Sequence, residues 1–257
     1  MKFGIASALL ASLTLSLAPC ASAQDSTTGS TSALSWTGFY AGIQGGAAFN
    51  TGDNGRLSFD NDLDGAYDDS IAAFGNNFDG SFDSGASYGV HAGYDYQLGP
   101  WVVGALADIN KVDINQRQSG FSSTPAFYLE ERSIETLGTV RGRIGYLFTD
   151  RILAYVTGGY AYADDEYRML SNTPATVTTS GGGGNGGVVY GAGLETRVTA
   201  RVSVGVEYLS YNLGDGDFVT NFRGPAAFST IAASTNSRGS DRDFTFSQVQ
   251  ARLSYRF

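Results

Sequence analysis

The chain has 257 residues, a formal net charge of −9, 35 glycines and 13% aromatic residues. The acidic balance argues against a nucleic-acid partner, because nucleic acids bind basic surfaces. With a single cysteine, Cys20, and a single histidine, His91, the sequence excludes a disulfide framework and a Cys/His metal centre.

The N-terminal segment resembles an export signal. A positive start is followed by a mostly apolar run, Phe3–Ala18, and by the cleavage-type sequence Ala21-Ser-Ala23. This pattern predicts a signal peptide over residues 1–23, followed by a flexible, Ser/Thr-rich lead-in over residues 24–35. The two alternatives are a membrane-anchor helix, for which the run is short, and a lipoprotein acylated at Cys20, which the preceding proline disfavours.

From residue 36 onward, apolar and polar residues alternate with a period of two in eight segments, which is typical of β-strands with two different faces. Each segment can supply the about 9–11 residues that a tilted strand needs to cross a membrane, whereas strands of soluble sandwiches are shorter. The segments are Trp36–Phe49, Ser84–Gln97, Trp101–Asp113, Arg132–Phe148, Arg151–Ala163, Gly187–Val198, Arg201–Asn212 and Phe244–Phe257.

The connections between these segments alternate in length. Leu98-Gly-Pro100, Thr149-Asp150 and Thr199-Ala200 are tight turns, and the other connections are long: residues 50–83, 114–131, 164–186 and 213–243. Short turns at one rim and long loops at the other are typical of outer-membrane barrels. We therefore predict one all-β domain over residues 36–257. It is an eight-stranded antiparallel up-and-down transmembrane β-barrel with short periplasmic turns, long extracellular loops and both ends on the periplasmic side.

The two faces of the segments indicate which side contacts lipid. The apolar face, which we expect to contact lipid, includes Val103, Val140, Val204 and Leu253. The sheet must close into a barrel, because lipid cannot satisfy the unpaired backbone groups of an open edge. The alternative, a soluble β-sandwich or lipocalin-like barrel, would make this face the core. Arg151–Ala163 is apolar or small on both faces, so its facing is not assigned. The polar face carries five arginines and five carboxylates, which we expect to pair in the lumen: Asp95, Asp108, Glu135, Arg141, Arg143, Glu195, Arg197, Glu207, Arg252 and Arg256.

Short motifs distributed over the strands carry a family resemblance: Trp36-Thr-Gly-Phe-Tyr40, Gly138-Thr-Val-Arg-Gly-Arg-Ile-Gly-Tyr146, Tyr155-Val-Thr-Gly-Gly-Tyr-Ala161, Val206-Glu-Tyr208 and Val249-Gln-Ala-Arg-Leu-Ser-Tyr-Arg-Phe257. They resemble the outer-membrane immunogenic, porin-family proteins of alphaproteobacteria, which are similar to OmpA-type eight-stranded barrels. The resemblance implies the cell outer membrane of a Gram-negative bacterium. It also implies that Tyr255 and Phe257 form the signal read by the barrel-assembly machinery. Leu106 departs from the family, which often has an acid at this position.

The width of the barrel bears on transport. An eight-stranded barrel has an interior just wide enough for its own side chains. The sequence therefore predicts a closed lumen and a structural or surface-interaction role in the envelope, with antigenic loops and with membrane lipid and lipopolysaccharide as partners. The alternatives are a small-conductance porin with rings of charge, and a surface protein that binds haem or a host ligand. The loop residues considered for such a ligand are Phe218, Phe222, Phe228, Arg223 and Arg242.

Catalytic residue patterns are sparse. His91 lies four residues from Ser87, and residues four apart on a strand are separated by about 13 Å, so the two cannot form a local catalytic triad. We therefore expect no enzymatic activity.

The first long loop carries a metal-like pattern. Asp60, Asp62, Asp64 and Asp68 follow the spacing of a calcium-binding loop, but Ile71 stands where the bidentate Glu belongs. We expect no cofactor apart from weak divalent-cation binding at these four aspartates. The alternative is a solvated acidic surface loop.

Overall fold

The computed structural model describes residues 34–50, 55–173, 176–181, 185–214, 218–224, 228, 234–240 and 244–257. The predicted signal peptide and most of the predicted lead-in lie outside these residues, so both stay predictions. The described strands are β1 Gly38–Phe49, β2 Leu57–Asp60, β3 Phe78–Asp83, β4 Gly85–Leu98, β5 Trp101–Ser122, β6 Ala126–Thr149, β7 Ile152–Ser171, β8 Thr176–Ser180, β9 Asn185–Arg197, β10 Val202–Leu213, β11 Val219–Arg223, β12 Thr235–Gly239 and β13 Phe244–Arg256.

Eight long strands pair antiparallel in a ring. The order is β1–β4–β5–β6–β7–β9–β10–β13, and β13 pairs again with β1, so each of these strands has a neighbour on both sides. This arrangement is the predicted all-β, up-and-down barrel. No helix in the described part of the chain is long and apolar enough to span a membrane.

The apolar face of the barrel strands lies on the outside, as predicted. Val140, Val204 and Leu253 are 66%, 39% and 45% exposed, whereas Arg141, which follows Val140 on β6, is 1% exposed. Burial also assigns β7, whose facing the sequence left open: Tyr155 and Ala161 point inward, and Val156 and Tyr160 point outward. A soluble barrel with an apolar core would have the reverse arrangement.

Three strands continue well beyond the segments predicted to cross the membrane. The prediction of a long loop over residues 114–131 is wrong, because β5 runs to Ser122 and β6 begins at Ala126, which leaves a three-residue turn. β7 likewise extends to Ser171 and pairs with β6 along this length. The polar residues of this stretch do not alternate with apolar ones, so the sequence pattern did not reveal the strands. β3 also pairs with upper β5.

A second, smaller sheet is built from the long connections. It has the order β2–β12–β11–β8 and joins segments of three predicted loops. Its residues and the extended strands enclose an aromatic cluster that includes Phe59, Phe74, Tyr128, Phe222 and Phe228. We call this cluster with the small sheet the extracellular cap.

Candidate functional site

The lumen at mid-height is filled by ion pairs. Arg143 donates from Nε to Asp95 Oδ1 at 2.8 Å and from Nη1 to Glu195 Oε2 at 2.9 Å. Arg256 donates from Nη2 to Asp95 Oδ2 at 2.6 Å. All four side chains are at most 6% exposed. Strands β4, β6, β9 and β13 thus meet through one buried charged group.

Aromatic rings surround the Arg143 guanidinium on two sides. Its centre lies 4.7 Å from the Tyr40 ring and 5.0 Å from the Tyr155 ring. Two glycines make room for these rings: a Cβ on Gly93 would lie 2.5 Å from Tyr40 Oη, and a Cβ on Gly193 would lie 2.5 Å from Tyr155 Oη. Each tyrosine therefore packs over the glycine paired with it on the neighbouring strand, which leaves little open space at this height.

A second group of charges lies one level nearer the extracellular side. Arg141 reaches Asp108 at 2.7 Å and Glu207 at 3.1 Å, and Arg252 reaches Glu207 at 3.3 Å. Tyr155 also donates to Glu207 Oε1 at 3.0 Å. Taking these ions out of water is costly, so their attraction stabilises the fold only when every charge keeps its partner.

Glu135 does not belong to this network, which corrects the sequence-based prediction. Its side chain is 80% exposed and lies 3.9 Å from the equally exterior Lys111. The cause is an irregularity of β6, where the pairing register shifts between Ile134 and Thr136. The shift turns Ile134 into the lumen and Glu135 out of it. The predicted five-to-five charge balance therefore becomes five arginines against four carboxylates.

Apolar layers close the lumen above and below the charges. Along β6, the inward residues run from Leu147 near the short turns, through Arg143 and Arg141, to Leu137 and Ile134. The lower layer also contains Trp36, Val102, Leu153 and Tyr155, and the upper layer contains Leu209, Leu213, Phe244 and Phe246.

Trp36 occupies the periplasmic mouth although it precedes β1. Its side chain is fully buried, its indole N–H donates to the Asp150 carbonyl at 3.1 Å, and its backbone N–H donates to Gln97 Oε1 at 2.8 Å. Arg256 donates to the Trp36 carbonyl oxygen. The tryptophan of the family-like motif thus fills the periplasmic end of the lumen. The alternation of the segment Trp36–Phe49 did not reveal this position, because Trp36 precedes the first residue of β1.

His91 has a partner that the sequence could not reveal. Its Nε2 lies 2.9 Å from Ser254 Oγ, across the β1 strand that separates β4 from β13. The opposite ring nitrogen, Nδ1, has no hydrogen-bond partner in the described part of the chain. A nucleophile pair needs an acid on that nitrogen and access for a substrate, and this buried pair lacks the former.

The first loop brings three of the four predicted aspartates together. Carboxylate oxygens of Asp60, Asp62 and Asp64 lie within 4.8 Å of one another, whereas Asp68 is outside this group. Backbone N–H groups of Asp64 and Gly65 donate to Asp60 at 3.2 and 3.1 Å. Divalent-cation binding here stays a prediction.

The aromatic residues considered for a haem or host ligand are packed within the cap. Phe222 and Phe228 stack at 4.7 Å and are 0% and 2% exposed, and Phe218 stacks on Tyr167 at 4.6 Å. Arg223 ends β11, and Arg242 lies outside the described residues. The described phenylalanines therefore form the core of the cap rather than an open platform.

The comparisons with known proteins agree with this architecture. The family model for the outer membrane protein beta-barrel domain matches residues 7–257. The chain belongs to this outer-membrane β-barrel family. The 31 kDa outer-membrane immunogenic proteins of Brucella melitensis biotype 1 and Brucella suis biovar 1 are each 32% identical to it over 195 residues, which cover 72% of this chain and 75% of theirs. Membership places this β-barrel protein in the outer membrane of a Gram-negative bacterium.

A solved structure supports the same fold. The outer membrane protein OprG from Pseudomonas aeruginosa matches with a TM-score of 0.51 and 17% identity, covering 86% of this chain and 96% of that one. At this identity the likeness concerns the fold alone. In the β-barrel protein, Tyr255 and Phe257 lie on the lipid-facing side of the last strand with ring centroids 5.3 Å apart.

Proposed function

We propose that this protein is a non-conducting envelope barrel that holds a folded cap at the cell surface, and that it acts through structure and surface contact rather than through catalysis. The observation that carries the proposal is the stacking of three filled layers in one lumen. Arg141 and Asp108 in the middle layer have 0% exposed side chains, and apolar residues close both ends.

Energetics support a closed lumen. A conducting path would have to separate partners such as Arg143 and Asp95, and an isolated buried charge costs about 3–5 kcal/mol. A porin with rings of charge needs water along the ring, whereas here the charged layer lies between apolar ones. The small-conductance porin is the alternative that the experiment below tests.

The exterior supports contacts with the envelope and with a surface partner. Above the lipid-facing residues lies a band of exposed charges that includes Lys111, Glu135 and Arg168, at a height suited to lipopolysaccharide headgroups. Beyond it, Phe121 and Leu170 are 58% and 45% exposed at the tip of the extended strands. Exposed apolar residues beyond a polar band are typical of a protein-contact surface. At the opposite end, Tyr255 and Phe257 are the residues we assign to the assembly machinery.

Conductance across a planar bilayer tests the proposal. Refolded protein, checked by heat-modifiable gel mobility, is expected to give no reproducible steps. A variant with Trp36→Ala and Arg143→Ala removes bulk from two layers and is expected to raise the leak, which shows that the assay can detect opening. Reproducible nanosiemens-scale steps from the unchanged protein would contradict the proposal and favour the porin. A saturable Soret band on haem titration would favour the ligand-binding alternative.

A further inference from the structure

The corrected lumen count leaves one arginine without an acid. Of the five arginines predicted for the lumen, Arg141, Arg143, Arg252 and Arg256 each lie within 3.3 Å of a carboxylate. Arg197 forms no ion pair with any described residue, although it is 5% exposed. Its Nη2 has no hydrogen-bond partner in the described part of the chain, and its Nη1 donates only to the Ala200 carbonyl at 3.2 Å.

Charges of both signs surround Arg197, but the acids among them, Glu195 and Asp95, already bond Arg143 and Arg256. Arg151, in the adjacent turn, donates from Nη1 to the Arg197 carbonyl at 3.4 Å. Arg256 also lies near the Trp36 ring, and the guanidinium centres are 4.8 Å (Arg197) and 5.4 Å (Arg256) from its centroid. The one acid on the Arg151 turn, Asp150, makes no ion pair among the residues that the structure describes. The aromatic ring attracts both cations but does not cancel their charge.

We propose that the periplasmic mouth, at Arg197 with Arg151 beside it, is a binding site for a phosphate group. A buried guanidinium with an unused N–H is costly until an anion accepts from it, and its planar fork matches phosphate oxygens. The rim of the mouth carries exposed aromatic residues, including Trp101, Tyr146 and Tyr255. Such aromatic residues mark the depth of the inner-leaflet lipid headgroups. The phosphate can therefore belong to an anionic phospholipid headgroup or be free in the periplasm.

The fluorescence of Trp36 provides the readout for binding. The chain has two tryptophans, Trp36 and Trp101, so Trp101→Phe leaves Trp36, whose ring contacts Arg197, as the sole indole fluorophore. In this background, inorganic phosphate added to the detergent-folded barrel is expected to change Trp36 emission saturably, beyond the effect of sodium chloride at equal ionic strength. Vesicles of phosphatidylcholine with and without phosphatidylglycerol, free of inorganic phosphate, test the headgroup source.

Matched variants make the test specific. Arg197→Gln is expected to weaken phosphate binding about tenfold to a hundredfold, which is the effect of losing a charge-assisted hydrogen bond. Arg151 is exposed, so Arg151→Gln should leave the packing unchanged, and it is expected to weaken phosphate binding about two- to fivefold. The control Arg168→Gln, at the far end of the molecule, is expected to leave it unchanged.

The proposal is overturned if neither phosphate nor phosphatidylglycerol produces a saturable change, or if Arg197→Gln responds like the parent. Should Arg197→Gln fail to refold, the graded loss in Arg151→Gln against Arg168→Gln decides the question.

Discussion

Strand β6 passes through two regions that bury different mixtures of residues. Below its register shift, the inward side chains are Arg141 and Arg143, and the outward ones are apolar, such as Val140. Above it, the inward side chains are Ile134, Tyr128 and Ala126 together with the charged Arg132 and Glu130, and Glu135 points outward. One continuous strand therefore buries arginines beneath an apolar outer face at membrane height, and has a mixed interior above it.

The surrounding solvent sets this pattern of burial. Lipid is as apolar as the residues it touches, so apolar side chains can face it and leave the polar ones to the interior. Water above the membrane reverses the preference, and the cap has an aromatic core like that of a soluble protein. The two regions should therefore respond differently to the same kind of substitution.

The largest expected effect is in the charged layer. Arg141→Met leaves Asp108 and Glu207 without their shared partner at 2.7 and 3.1 Å, and we expect the free energy of unfolding to fall by about 3–5 kcal/mol. Urea unfolding of the refolded barrel measures this change. The matched variant Arg168→Met breaks an exposed pair with Glu166 and should cost less than about 1 kcal/mol. Equal losses would show that burial does not distinguish the two regions.

A smaller and local effect is expected in the cap. Phe222 is fully buried against Tyr128 and Phe228, so Phe222→Ala should destabilise the cap by about 3 kcal/mol. Limited proteolysis should then cut the loops faster while heat-modifiable mobility of the barrel stays intact. Phe121→Ala, at an exposed site of the same region, is the control and should behave like the unchanged protein. A global loss of the barrel in Phe222→Ala would mean that cap and barrel unfold together.

Acid–base chemistry should separate the regions further. Burial raises the pKa of Glu130, on the inward side of upper β6, from 4.5 to about 7, although Arg132 lowers it. The folded state thus keeps a proton that the unfolded chain loses, so stability should fall as pH rises from about 4.5 to about 7 and then level off. The loss is at most about 3 kcal/mol.

Glu130→Gln is the variant that isolates this pH effect. It removes the titrating proton, so it should flatten the slope and be more stable than the unchanged chain at pH 8. Hydrogen exchange of β6 amides across this pH range measures it. An unchanged slope in the variant would assign the effect to another group.

The smallest expected effect concerns the acidic loop. Asp60, Asp62 and Asp64 converge, but a calcium loop without its bidentate Glu binds weakly. Calorimetry with millimolar calcium should give a small heat that Asp62→Asn abolishes, with Asp79→Asn as the control. The absence of heat at that concentration would leave a solvated acidic loop.

Much of the barrel could be predicted because alternation is a local property. Val140 and Arg141 are neighbours, and their opposite faces follow from the period of a strand. The extension of β5 to Ser122 could not be predicted, because its polar residues gain strand structure from pairing with β3 and β6. The outward turn of Glu135 was missed for a related reason, since a bulge reverses alternation without a composition signal.

The alternation in the sequence is enough to identify the membrane-crossing strands and their lipid-facing residues, because the two-residue period assigns each side chain to a face. Which charges meet depends on the tertiary structure. Arg143 reaches Asp95 from 48 residues away, and Arg256 reaches Trp36 from 220 residues away. These contacts depend on the register between neighbouring strands around the closed ring. A shift of one residue would turn each partner to the opposite face of the sheet.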